Sequence, residues 1–444
     1  MKTMSRAPGL GFFLFILVNA SLFIRPIDLF PALLGIPIYE GLILSCLLVS
    51  GFAVLGELAP SSLAKNSISA CALCLLASML ISNLAHFRID SAIDSGIEFA
   101  KVLLYYFLLI GLLDSFARLR SFLLWLGLIV LIVASLALLH YYHIINIPSL
   151  VVLEHAEEEI DEETGEHVVL ARLQSVGIYN NPNDLSRILV VGILISLYFL
   201  GNRCFGLLRV LWLLPMILFG HGLQLTHSRG GLLSLLGGLF AFLLNGFGTK
   251  KSLVLSVLVL PAVMFAFAGR QTEMSTSEGT AQQRIKIWND GFVALRSSPV
   301  FGIGMNQHQE ELGIVAHNSF VHCYVELGIV GGMFFFAMFY LPAKALQSKS
   351  RCEPSPRDPD VIRLRALVFA LLVATAVGMF SSSRSYTVPS YLIVGLCASY
   401  LRVLSDRGQT LLPRFDLNLI RRLMLASTLT LVGLYAYVRL MARY

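Results

Sequence analysis

Apolar residues fall in long runs that repeat from one end of the chain to the other. The runs lie near 9–24, 36–56, 68–85, 97–113, 122–139, 185–200, 208–220, 230–246, 253–268, 317–343, 364–381, 388–403 and 423–438. Most approach the roughly 20 residues that carry an α-helix across a bilayer, and they do not alternate as the strands of a membrane barrel would. The pattern predicts an all-α polytopic transmembrane bundle of about a dozen spans, forming a single integral membrane domain over 1–444. Two polar gaps are longer than the rest, 140–184 and 269–316.

The run over 317–343 differs from the others in how it begins. It opens with His317-Asn318, and Gly328 and Gly331 follow eleven and fourteen positions after the histidine. At about 100° per residue the three fall near one face of a continuous helix. This predicts a titratable group at the helix mouth with a seam of small residues deeper in, where a neighbouring helix packs closely and holds His317 in place.

Composition supports the membrane reading. Hydrophobic residues make up 56% of the chain and charged residues only 14%, with a mean hydropathy of +0.76. That balance excludes soluble domains, which need a polar surface. The seven cysteines sit mostly inside apolar runs or in loops placed in the cytoplasm, so no disulfide framework is expected. Cys71-x-x-Cys74 lies within a span without a second ligand pair, which favours packing over metal. The first run lacks a cleavage site and is expected to be a retained span.

Charge placement gives the orientation. With the N-terminus inside, alternate loops hold Lys2 and Arg6, Lys65, Arg118 and Arg120, Arg203 and Arg209, Lys250 and Lys251, and then basic clusters over 344–365 and 402–422. Lys and Arg collect on the cytoplasmic side, so the 140–184 and 269–316 loops, and His317 with them, are expected outside. The acidic run from Glu154 to Glu166 is expected to be a solvated loop tip, since it lacks the ordered ligand spacing of a calcium loop.

Several arginines break the inside-positive pattern, and charges near the membrane are usually paired or functional. Arg229 follows Ser228, predicted to cap the helix that begins there, and a helix N-terminus plus a guanidinium is an anion site; a snorkelling or paired Arg is the equal alternative. Arg284 shares a face with Ile287 and Trp288 on a predicted short amphipathic helix, with Trp288 at the membrane interface and Lys286 in solvent. Asn181-Pro182-Asn183-Asp184 predicts a turn capped by Asn183 or Asp184, with Arg187 one turn inside as a possible further phosphate contact. Arg384 is placed to close the site from the C-terminal half. Asn318 either orients His317 or caps the helix, and Glu326 is a candidate buried partner for an Arg. His221, His227, His308 and His322 raise the question of a metal, but His317, Cys323 and Glu326 lack metal spacing as a set, so none is expected.

His317-Asn318, nine residues, then Gly328-x-x-Gly331 resembles the signature of the O-antigen ligase and O-antigen polymerase superfamily of bacterial envelope glycosyltransferases. The Asn181-Pro182-Asn183 turn, Ser228-Arg229-Gly230, Arg284 with Trp288 and the Pro299–Gly304 loop stand in the order that family shows, strongest over 175–345. The resemblance implies transfer of a glycan from an undecaprenyl-diphosphate carrier to an acceptor at the periplasmic face of the inner membrane, without metal or other cofactor. It implies His317 as catalytic residue and Arg229 and Arg284 as diphosphate-binding residues. The acidic 154–166 insertion has no counterpart in the pattern. Lipid A core, the end of another lipid-linked glycan or a protein hydroxyl are the competing acceptors; the His-Asn and paired-Arg layout favours lipid A core, hence a ligase, with a polymerase next. Membrane lipid is an expected partner and nucleic acid is not. The rival of another class is a transporter of the same lipid-linked sugar, which is disfavoured because no matching repeats or interrupted spans stand in corresponding positions.

Overall fold

The computed structural model describes residues 8–150, 153–160, 167–267, 280–348, 359–409 and 412–442. The helices in chain order are α1 (Gly9–Ile24), a one-turn α2 (Pro26–Leu29), α3 (Ile38–Leu58), a one-turn α4 (Pro60–Leu63), α5 (Ser67–Ala85), α6 (Ile89–Leu112) and α7 (Phe116–Tyr141). After a hairpin of β1 (Leu153–Ile160) and β2 (His167–Arg172) come α8 (Pro182–Leu200), α9 (Leu213–Leu225), α10 (Arg229–Phe247), α11 (Thr249–Ala266) and α12 (Thr280–Ser297). The chain closes with α13 (Gln307–Leu312), α14 (Ser319–Gln347), α15 (Pro359–Met379), α16 (Val388–Asp406) and α17 (Leu417–Met441).

Eleven helices among the described residues are long and apolar enough to cross a membrane, and the shorter apolar α1 accompanies them. The protein is a multi-pass, all-α membrane bundle, as the apolar runs predict. The outward faces suit lipid: Leu48, Phe52 and Leu55 on α3 and Leu425, Leu429 and Val432 on α17 are exposed. Inside, α10 lies along α15 and α14 along α5. The close helix–helix seam is on α10, where Gly237 meets Val377 and Gly238 meets Ala374 of α15, and side chains larger than hydrogen would hold the helices apart.

Gly328 plays a different part from the one expected. Its φ of 66° and ψ of −169° break α14, so 317–343 is not one continuous helix with a single face. The Pro299–Gly304 loop runs through the break. Ile303 N donates to Val325 O at 3.0 Å, Gly304 N to Glu326 O at 2.9 Å and Ile329 N to Pro299 O at 2.9 Å. These bonds replace the helical ones lost there, and each buried carbonyl left without a donor would cost about 1–3 kcal/mol. Ser82 on α5 places its hydroxyl 2.6 Å from Phe301 O and 2.8 Å from Glu326 O, and Arg88 donates to Ile303 O at 2.7 Å. A Cβ on Gly328 would overlap the Val300 carbonyl, and one on Gly302 would overlap the Glu326 backbone. Gly328 therefore admits a loop backbone and not a neighbouring helix. Gly331 likewise faces Leu327 of its own chain, drawn close by the break.

Two further expectations are corrected. The acidic stretch is not a bare loop tip: Glu154 pairs with Ala171 and His155 with Leu170 in an antiparallel ladder, and only 161–166 of the run lies outside the described residues. Glutamates are poor strand formers, so the hairpin left no propensity signal. The helix after the Asn-Pro-Asn turn is capped by Asn181, whose side chain accepts from Asn183 N at 2.9 Å, with Pro182 at the first helical position.

Gly328→Ala should lose about 3 kcal/mol or more in a detergent unfolding series, combining a backbone conformation open almost only to glycine with overlap against Val300. Gly433→Ala on α17, whose added Cβ meets nothing within 4 Å, should be neutral in the same assay; equal effects would refute the account of the break.

Candidate functional site

The start of α14 is fixed from three sides. Asn318 caps it, its side-chain oxygen accepting from Phe320 N at 3.0 Å and Val321 N at 3.3 Å. Ser319 is gripped by the turn after α15: its hydroxyl donates to Ser382 O at 2.6 Å and accepts from Arg384 N at 2.9 Å, while Ser385 donates to Ser319 O at 2.9 Å. Trp288 on α12 donates its indole N–H to Ala316 O at 2.6 Å. The ring thus holds the residue next to His317, which corrects its reading as a membrane-interface group. α12 is also longer than the short helix expected, with Ile287 buried and Lys286 exposed.

His317 itself stands at φ 50°, a left-handed conformation that costs a histidine energy and that its pinned neighbours impose. It is half-buried at the lip of α14.

Arg229 is the first residue of α10. Ser228 caps that helix as predicted, accepting from Gly231 N at 3.1 Å, and donates to Asn183 Oδ1 at 2.8 Å, which ties the start of α10 to that of α8. The neighbouring Gly230 lies so close to Ser381 that a Cβ there would overlap its hydroxyl. Ser381 opens the same turn that grips Ser319. One short turn therefore holds Arg229 on one side and His317 on the other.

Arg284, one helical turn before Trp288, comes in from α12. It is within electrostatic reach of both of the others. The His317 imidazole is held below its ordinary pKa first by burial, then by the Arg284 cation and then by His322. Arg284 is lowered by burial and by Arg229. A half-buried histidine beside a cation stays neutral near pH 7 and can accept a proton. Two guanidiniums within electrostatic reach of each other form a positive region that an anion would relieve.

The remaining candidates go elsewhere. Arg187 and Arg384 both pair with Asp184, Arg384 placing Nε 3.1 and 3.0 Å from the two carboxylate oxygens. The pair lines a cavity of about 360 Å³ between α8, α15 and α16. Glu326 is buried, but its partner is a histidine where an Arg was expected: His322 Nε2 lies 3.2 Å away, and His308 N donates to the other carboxylate oxygen at 3.3 Å. Sequence reasoning missed the Ser381–Ser385 turn as the hub, though its serine density marks it as a turn.

Two arginines and a histidine that act on one another electrostatically thus lie at one end of a membrane bundle. Residues 214–336, from α9 through the break in α14, match the family model described as O-antigen ligase. That match supports the resemblance to the O-antigen ligase/polymerase superfamily of membrane glycosyltransferases, and it spans Arg229, Arg284, His317, Gly328 and Gly331. No curated protein matches the chain.

Arg284→Gln removes one of the charges that lower His317. The acidic limb of the pH–rate profile should lie below about 6.5 in the native protein and move upward in this variant. A limb that stays put would assign it to another group.

Proposed function

We propose that the protein is an O-antigen ligase-type transferase that moves a glycan from undecaprenyl diphosphate to lipid A core at the periplasmic face of the inner membrane. The observation that carries this reading is that the starts of α10 and α14, which hold Arg229 and His317, meet at one turn, with Arg284 within electrostatic reach of both residues. In the reaction the acceptor hydroxyl oxygen attacks the anomeric carbon of the lipid-linked sugar. Its proton passes to a ring nitrogen of His317 as the glycosidic C–O bond forms. The bond from the anomeric carbon to the diphosphate breaks, and the electron pair leaves on undecaprenyl diphosphate. Arg229 and Arg284 stabilise that developing charge, each able to offer paired N–H donors. Asn318 supports the base by fixing the helix that begins beside it.

The periplasmic placement rests on the collection of Lys and Arg at the opposite ends of the helices. Arg187 and Arg384 share Asp184 as their counter-ion, so their charge is used within the fold.

His317→Ala should lower transfer on the order of 10²-fold or more while leaving donor binding near the native level. The assay uses the full chain in nanodiscs with an undecaprenyl-diphosphate glycan, lipid A core and EDTA. Longer lipid-linked chains without added core would make the protein a polymerase. Unaltered donor that still binds through Arg229 and Arg284 would support the transporter.

A further inference from the structure

A second polar cavity, of about 400 Å³, opens on the His317 end of the bundle. Its floor is His322 and Glu326 on α14, with the rings of Phe99 and Tyr386 beside them. Its mouth carries Glu98, Asn306 and Gln309, all exposed. His322 is 9% exposed, and its Nδ1 has no hydrogen-bond partner among the described residues; neither has the buried Ser383 hydroxyl of the same lining. Both atoms are closed off from water, so the hydrogen-bonding groups that open on the cavity are those of its exposed mouth, Glu98, Asn306 and Gln309, and they suit a ligand rich in such groups.

The charge around the cavity narrows the ligand. Glu98 and Glu326 are carboxylates, and the one guanidinium in the lining, Arg384, is already held by Asp184. An anion such as diphosphate is disfavoured there, in contrast to the Arg229–Arg284 pair. Carboxylate, amide, hydroxyl and imidazole groups around aromatic rings suit a neutral polyol, whose hydroxyls bond the polar groups while its C–H face covers a ring. The volume lies within the roughly 300–1,000 Å³ range of small-ligand sites. The cavity also lies beside the start of α14, because its lining includes Val315, two residues before His317, and Ser385, which donates to Ser319 O.

We infer that this cavity seats a neutral sugar ring of one of the two reacting glycans, holding it next to His317. The inference rests on the transferase reading and extends it by dividing the site into an anion half and a sugar half.

The test measures binding apart from turnover. Saturation-transfer NMR on the full chain in nanodiscs would use two soluble probes: the delipidated lipid A core oligosaccharide for the acceptor, and a repeat-unit oligosaccharide without its carrier for the donor. Gln309→Trp and Glu98→Trp block the mouth from two sides, and Leu48→Trp, on the lipid-facing surface of α3, is the control; thermal melts check that each variant folds. At least one probe is expected to bind, with a Kd raised about tenfold or more in both mouth variants and unchanged in the control and in Arg229→Ala. Which probe responds identifies the glycan. Binding of neither probe, or binding lost in Arg229→Ala but kept in the mouth variants, would overturn the inference. Sugar binding that persists in a protein with no transfer activity would overturn the transferase reading and leave the cavity assignment standing.

Discussion

Every backbone carbonyl buried in an apolar bundle must find a donor, and around Gly328 this requirement organises the structure near His317. A helix that breaks inside a membrane protein strands its own hydrogen-bonding groups. Here the Pro299–Gly304 loop supplies the missing partners, and Ser82 and Arg88 hold that loop in turn. The loop can enter only because residues 302 and 328 have no side chains. The upper part of α14 becomes a short cylinder fixed by its Asn318 cap above and by the threaded loop below. His317 sits on top of it, and α12 and the Ser381–Ser385 turn complete its surroundings.

Electrostatics divides the same end of the molecule into two kinds of ground. Asp184 takes up Arg187 and Arg384, so two of the four cationic candidates spend their charge within the fold. Arg284 is lowered by its own burial and by the Arg229 cation, so the two guanidinium charges are felt at the same end of the molecule. His317 feels Arg284 on the one hand and His322, partner of the buried Glu326, on the other. A histidine in those surroundings resists protonation, and negative charge brought near it would raise its affinity for a proton.

Much of the fold was legible because a bilayer imposes a simple rule on sequence. Apolar runs near the span length marked the helices, and α1, α8, α10 and α16 begin within about three residues of the predicted starts. The cap at Ser228 and the pairing of Arg284 with Ile287 on one face were readable from local chemistry and helical period. The break at Gly328 was not. A glycine in an apolar run looks the same whether a neighbouring helix or a loop distant in sequence packs against it, since the difference lies in the partner. The same holds for Trp288, whose ring suits a membrane interface until Ala316 is placed beneath its N–H. Arg187 and Arg384 could not be told from substrate-binding arginines because their counter-ion, Asp184, lies far from Arg384 along the chain. The β1–β2 hairpin was hidden by a composition that disfavours strands.

The break in α14 also separates two mechanical duties within one helix. Residues after Gly328 run through the bilayer, where changes in thickness are met by tilting. Residues before it are held by the soluble-side loop and turn contacts already described. The Pro299–Gly304 loop bonds Val325 and Glu326 before the glycine and Ile329 after it, so the joint is spliced and not a free hinge, and a change of tilt is shared between the helix and that loop.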